Sequence, residues 1–485
     1  MSEEKVGRRK YLKYAGAGIV AVAVVGAGYY FTQKPKEMPE VVFFCMDPVG
    51  EIALANQADL EERYGIKLTA KKAGINLGEE IMLHLTAHTG DVDVILQYIE
   101  HVGQFHQYYI PFTDENLRKY DIDLSDFLES AVTAIGMYDD AHKFDPRGGG
   151  EVLYNLPTGA MSEFFCYRKD WFEDPAEQAS FKDKYGYDMM PPEDGWAFAE
   201  FCDVLEFWTR PEKGIRGMFC SLHPMEILQN YWGLGGVYSA GVYYADRNGV
   251  PTWNIPQNLQ GLYLLQHMFK QGWIVPEAIG LAIMEGHTLL KEGKVAITAS
   301  WDMLMGDLEK EGSPIKGKVG YTVTPSWKEP RGKPRSVPGV ESWVIPGSKT
   351  RMNTGGWNMG VNKDSKNVDA AFTFVKWLLS EEVMRKAVKQ QGWTAARKSI
   401  LGDPETLKIC PYATTNMKAW TEDRGWICII RCPEMGLLQQ ATGNRLQETF
   451  SKLRDPKEVL DECQQEAIKI WEKAGYPTKG EFLPW

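Results

Sequence analysis

The sequence predicts an α/β protein built on a parallel, doubly wound sheet, and three observations carry that prediction. Short apolar runs alternate with helical stretches from residue 41 onward, in the order β-α-β-α-β. The first run, 41–46 (VVFFCM), is continuously apolar, as expected of a strand buried on both faces. The composition, 44% hydrophobic, 25% charged and 12% aromatic over 485 residues, is that of a folded chain with material for about two to four structural units.

Before the first strand, residues 1–36 read as an address. Arg8 and Arg9 open RRKYLK, which resembles the twin-arginine export signal, with Tyr11 at the aromatic position. The uncharged stretch 15–31 (AGAGIVAVAVVGAGYYF) follows, and its 17 residues cover about 25 Å as a helix. Two outcomes stay open: a cleaved signal, or a retained signal/anchor helix that holds the body on the outer face of the membrane. No convincing A-x-A site follows the stretch and no small-residue lipobox precedes Cys45, which favours retention. Five basic residues before the stretch place the N-terminus inside and the body outside the cytoplasm.

The body is acidic. Lys+Arg 54 against Asp+Glu 65 gives a formal charge of -11, and setting aside 1–36 leaves 47 basic and 63 acidic residues, or −16. That balance excludes nucleic acid as the main partner. The eight cysteines include no C-x-x-C pair, and an oxidising compartment allows some of them to pair. His84 and His88 have the i,i+4 spacing of a metalloprotease helix, but Leu85 stands where the general base belongs, so no metal site is expected. No cofactor is expected either. The chain carries no G-x-x-x-x-G-K-[ST] loop, no G-x-S-x-G elbow and no nicotinamide fingerprint, and it reads as a non-enzyme.

After the first strand, Asp47-Pro48-Val49-Gly50 breaks the run. A helix is expected over 51–64, stopped by Gly65, then a strand at 66–70. Ile81, Met82 and Leu85 mark a second helix, and 93–97 a third strand. Ligands of such sheets sit beyond the carboxyl ends of the strands, which points at Asp47 and at Gln97, Tyr98 and Glu100. Asp47 serves equally well as a helix cap. Further along, 164–170 reads as a strand entering a turn, and 191–196 opens a helix over Phe198, Phe201, Leu205 and Trp208. A strand at 295–299 ends at Ser300-Trp301-Asp302. Asn367 is placed to cap a helix with a clear 3.6 periodicity, and Asp455-Pro456-Lys457-Glu458 starts the last one. Residues 326–347, rich in Pro and Gly, read as an extended loop, and no internal repeat is present.

Several separated patches resemble one family. They are Gly355-Gly356-Trp357-Asn358-Met359-Gly360-Val361, the helix from Ala370 to Leu379, and Gly392-Trp393-Thr394-Ala395-Ala396-Arg397. Asn155-Leu156-Pro157 before Tyr167-Arg168-Lys169-Asp170, and Glu292-Gly293-Lys294-Val295-Ala296-Ile297, belong with them. Asp91-Val92-Asp93-Val94 matches an early family strand except that Val92 replaces a proline. In order and spacing these patches resemble the extracellular solute-binding proteins of ABC importers, in particular the sugar-binding, maltose-type members.

The resemblance implies a periplasmic-binding-protein-like fold: two interleaved α/β lobes closing by a hinge over a cleft. It places one lobe at 38–157 plus 300–356 and the other at 158–299 plus 357–485. The implied function is a receptor that captures a solute, a carbohydrate first of all, and hands it to the permease subunits without chemistry. Aromatic rings cover sugar C–H faces while carboxylates and amides bond hydroxyls. The candidate ligand-binding residues in the implied cleft loops are therefore Asp47, Gln97, Tyr98, Glu100, Tyr154, Trp232, Tyr238, Trp301, Asp302 and Trp357. Two alternatives remain: the same fold with a charged solute, or an exported glycoside hydrolase. Arg147 with Gly148-Gly149-Gly150 is the one stretch that suits an anion, and a surface turn explains it better.

Overall fold

A computed structural model describes residues 38–74, 77–234 and 236–485. Arg8, Arg9 and the stretch 15–31 lie outside the described residues. The described residues form thirteen strands: β1 Glu40–Cys45, β2 Lys67–Lys72, β3 Val94–Tyr98, β4 Met137–Tyr138, β5 Val152–Leu153, β6 Leu156–Pro157 and β7 Met161–Arg168 come first. β8 Arg216–Phe219, β9 Val295–Trp301, β10 Val319–Thr322, β11 Met352–Gly355, β12 Trp357–Val361 and β13 Gly425–Ile427 follow.

Two sheets organise the chain, with β4 and β5 forming a separate hairpin. The first runs β2-β1-β3-β12-β6 and the second β13-β11-β7-β9-β8, with β10 also beside β7. In the first sheet β1 pairs parallel with both β2 and β3, as the β-α-β-α-β opening requires. Helix Val49–Tyr64 makes the first crossover, and Gly65 ends it in the left-handed conformation with its N–H on the Glu61 carbonyl. Of β1, Val41 and the run Phe43–Cys45 are buried. The last long helix, Pro456–Ala474, starts as its sequence implies, with the Asp455 carboxylate accepting from the N–H groups of Lys457 and Glu458. Asn367 holds the expected N-cap position of helix Val368–Leu378, but its side chain makes no capping bond. Among the described residues no helix is long and apolar enough to cross a membrane.

The chain changes sheet at 356–357, not at 300. β10 pairs antiparallel with β7, and so does β11, so the segment assigned above to the first lobe extends the second sheet instead. β12 pairs antiparallel with β3 and β6, so 357–361 belongs to the first sheet. The helix that follows it, Val368–Leu378, packs on β1 and on helix Val49–Tyr64. The sequence patches locate the crossings, whereas only hydrogen-bond pairing tells which sheet each strand joins.

The crossings lie side by side. The Thr158 N–H and hydroxyl both donate to the Trp357 carbonyl at 2.9 Å. Trp393 Nε1 donates to the Thr158 carbonyl at 2.9 Å, and the Ala160 N–H to the Thr394 carbonyl at 3.1 Å. Gly356 sits at φ 144, and a Cβ there would lie 2.7 Å from the Gly159 carbonyl oxygen. Only glycine fits that close approach of two crossing strands.

All eight cysteines are unpaired and buried. They lie on separate elements of the core: Cys45 ends β1, Cys166 is in β7, and Cys202 and Cys463 are on different helices. His84 and His88 turn to different carboxylates, Asp91 at 2.9 Å and Asp364 at 2.7 Å, rather than converging.

Candidate functional site

Between the two sheets is a cavity of about 220 Å³. Tyr98, Ile99 and Glu100 enter it from the carboxyl end of β3, and Gly356 and Trp357 from the crossing into β12. Met161, Glu163, Trp301, Met303, Leu304, Ile283 and Cys428 face them from the second sheet and its surroundings. Glu226, Gln229 and Asn230, spaced i, i+3, i+4, line it from the start of helix Ile227–Leu234. A second hollow of about 490 Å³ shares Glu100 and opens between helices Leu77–Thr86 and Met435–Ser451.

The strand register sets which side chains meet. Glu163 on β7 stands directly opposite Trp301 on β9 and opposite Asn353 on β11, so all three share a face of the second sheet. Asn353 Nδ2 donates to one Glu163 oxygen, while Glu163 Oε1 has no partner. Glu226 Oε2 is likewise buried and unpartnered. Burial pushes the Glu163 carboxyl up to about 7, and the charge of Glu226 adds to the push. Burial raises Glu100 to about 7 as well, and raises Glu226. The rings of Tyr98 and Trp357 lie 5.8 Å apart, and Trp357 is backed by Trp393 at 5.9 Å.

Four of the ten candidate residues line the cavity: Tyr98, Glu100, Trp301 and Trp357. The other six do not. Asp47 neither caps nor faces the cavity; its half-exposed carboxylate pairs with Lys72 at 3.0 Å, and Pro48 holds the cap position. Gln97 is fully buried and accepts from the Tyr109 hydroxyl at 2.8 Å. It precedes Tyr98 on the strand, and alternation turns it to the opposite face. Tyr154 packs edge-on against His106 at 5.2 Å. Trp232 is wholly buried, 4.5 Å from the Tyr244 ring and 5.3 Å from that of Trp253. Tyr238 is spent on the core too, its hydroxyl donating to the Cys428 carbonyl at 2.9 Å. Asp302 lies under the cavity floor, accepting from the Ser162 N–H at 3.2 Å and the Met303 N–H at 2.8 Å, with burial raising its carboxyl to about 7.

The glycine-rich loop is no anion cradle. Gly148, Gly149 and Gly150 all adopt positive φ, and the Gly149 carbonyl turns inward to accept from the buried Arg431 guanidinium at 2.7 Å. Arg431 also bonds the carbonyls of Ala134, Met137 and His142, which ties this loop to the end of the second sheet.

Sequence reasoning missed Glu163, Glu226, Gln229 and Asn230. Glu163 had a signal: a single acid within the otherwise uncharged run 161–167 (MSEFFCY), in a strand read as starting one residue later. Glu226, Gln229 and Asn230 immediately precede the aromatic pair Tyr231-Trp232 that drew attention instead.

Comparison with known proteins agrees with this architecture. The family model described as "Bacterial extracellular solute-binding protein" matches residues 112–385. The chain belongs to that family. Its members are substrate-binding receptors, and the family implies an exported protein. The fold is shared with a solute-binding protein of Agrobacterium radiobacter K84 in complex with ribitol, at TM-score 0.72 and 22% identity over 90% of this chain and 100% of that one. It is shared with maltose-bound T. maritima MalE3, at TM-score 0.70 and 16% identity over 89% and 99%. The "Probable ABC transporter-binding protein" of Deinococcus radiodurans is 24% identical over 54% of this chain and 56% of its own length. The chain spans about half the length of the curated relatives it matches.

Proposed function

We propose that this chain is the extracytoplasmic receptor of an ABC importer, capturing a carbohydrate or polyol between its two sheets and delivering it to the permease. The observation that carries the reading is the make-up of the interlobe cavity. Tyr98, Trp301 and Trp357 supply apolar ring faces, while Glu100, Glu163, Glu226, Gln229 and Asn230 supply hydroxyl partners. Those are the two kinds of surface a sugar presents. Proteins of the same fold bind ribitol, maltose and D-mannitol, which supports the class without naming the member.

Closure around the solute follows from where the walls are anchored. Tyr98 and Trp357 ride on the first sheet, Trp301 and Glu163 on the second, and the crossings at 158–160 and 356–357 join them. A solute touching both walls favours the arrangement in which they approach, and that arrangement is what a permease recognises. The twin-arginine segment with Arg8 and Arg9 would export the folded body, and the stretch 15–31 would hold it at the outer face of the membrane. The ligand leaves unchanged.

Thermal unfolding of residues 37–485 against monosaccharides, oligosaccharides, polyols, amino acids and organic cations tests this reading. A solute at about 100 times its Kd adds roughly 2.7 kcal/mol, a readable shift. Stabilisation by one sugar or polyol class is expected. Stabilisation by amino acids alone, or cleavage of a glycan, contradicts it.

A further inference from the structure

The cavity wall has an imbalance that a neutral sugar leaves unresolved. Three carboxylates, Glu100, Glu163 and Glu226, line it, and among the described residues no Lys or Arg does. Elsewhere on this chain acids find cations readily: Glu200 meets Arg331 at 2.9 Å and Glu177 is held by Arg210. Glu163 is 1% exposed, sits in the middle of the second sheet, and has only the Asn353 amide on one of its oxygens. Its other oxygen, like Glu226 Oε2, is buried without a partner among the described residues. A buried acceptor left unmade costs about 1–3 kcal/mol, and more when charged. Such groups persist where something else completes them.

Three aromatic rings face the same space, from Tyr98, Trp301 and Trp357. Aromatic faces together with carboxylates make a site for a protonated nitrogen: the carboxylates neutralise it and the rings attract it through their quadrupole. From the unpartnered carboxylate oxygens of Glu163 and Glu226 in the same cavity as these rings, we infer that the solute carries a basic nitrogen, which docks on Glu163 and Glu226. This rests on the receptor reading above and narrows its substrate class to amine-bearing sugars or polyols.

The raised carboxyls give the pairing a pH signature. Burial raises the carboxyls of both docking residues, Glu163 to about 7 and Glu226, the latter beside His223 and Glu285, so an ammonium group binds best where they are ionised. Its affinity falls as pH drops below 7, by up to about tenfold per unit for each carboxyl that must give up its proton. A neutral sugar has no such dependence to first order.

The test is isothermal titration of the body, residues 37–485, with matched probes at pH 8 and pH 6. The probes are D-glucosamine, D-glucose and N-acetyl-D-glucosamine, the galactose and mannose equivalents, 1-amino-1-deoxysorbitol against sorbitol, and 1,4-diaminobutane. At least one free amine is expected to bind ten times or more tighter than its neutral and acetylated partners at pH 8, with the advantage shrinking at pH 6. Glu163→Gln and Glu226→Gln, each checked for an intact melting transition, are expected to abolish the advantage. Neutral sugars that bind as tightly as their amines overturn the nitrogen while leaving the receptor reading intact. Binding of 1,4-diaminobutane alone keeps the nitrogen and overturns the sugar class. No binding by any probe overturns the nitrogen, and the receptor reading is then decided by the wider thermal panel above.

Discussion

Two groups of aromatic residues flank Cys428, and their contrast shows what identifies a ligand surface. Trp232, Tyr238, Tyr243, Tyr244 and Trp253 pack on one another with centroid distances from 4.5 Å upward, all fully buried. Three of their hydroxyls are used on backbone: Tyr238 and Tyr244 on the Cys428 carbonyl, and Tyr243 on that of Ile427. Tyr98, Trp301 and Trp357 are the same residue types in a different setting. They stand at the ends of β3, β9 and β12, and they face a cavity. Aromatic content alone does not separate the two groups. Position at a strand end does, because there the backbone stops pairing and side chains can face the space between the sheets.

Truncation should split the groups cleanly. Trp232→Ala is expected to cost about 3–5 kcal/mol in denaturant unfolding, as removal of a large buried ring does, with little change in the affinity of what stays folded. A loss of affinity without loss of stability would move Trp232 to the ligand side. Arg431→Met sharpens the same point from behind the wall. It leaves the carbonyls of Ala134, Met137, His142 and Gly149 without their shared donor, and an unfolding cost of about 3 kcal/mol is expected.

Glu163→Gln has the opposite sign above neutral pH. Between about 4.5 and 7 the folded chain keeps a proton that the unfolded chain releases, so stability falls as pH rises through that window. The deficit at pH 8 is about 3 kcal/mol. The variant should therefore be the more stable protein at pH 8 and nearly equal to the parent at pH 4.5, as urea titrations at the two pH values will show. A difference independent of pH would mean that Glu163 is ionised throughout. The smallest effect is expected from Asp47→Asn, whose exposed pair with Lys72 lies away from both hollows. Neither melting temperature nor affinity should move measurably.

Much of the first sheet was legible in the sequence because its strands are local. β1, β2 and β3 follow one another with helical crossovers, and apolar runs separated by Gly and Pro suffice to place them. The second sheet is built from strands far apart in sequence, with β7 contacting β9, β10 and β11. Apolar periodicity carries no information about such partners, so 300–356 went to the wrong sheet. The site divides the same way. Tyr98 and Glu100 follow from the strand-end rule, whereas Gln97, one position earlier, is turned away by strand alternation. Glu163 becomes visible only once β9 and β11 are placed on either side of it.

The central claim is that one solute is held by both walls at once. The most direct measurement is calorimetric titration of Trp301→Ala, from the second sheet, and Trp357→Ala, from the first, with the solute that gives the largest thermal shift. Each variant is expected to stay folded and to lose about tenfold to a hundredfold in affinity, the value of one ring's apolar contact. Loss in one variant with parental affinity in the other would place the solute on a single wall and contradict capture between the sheets.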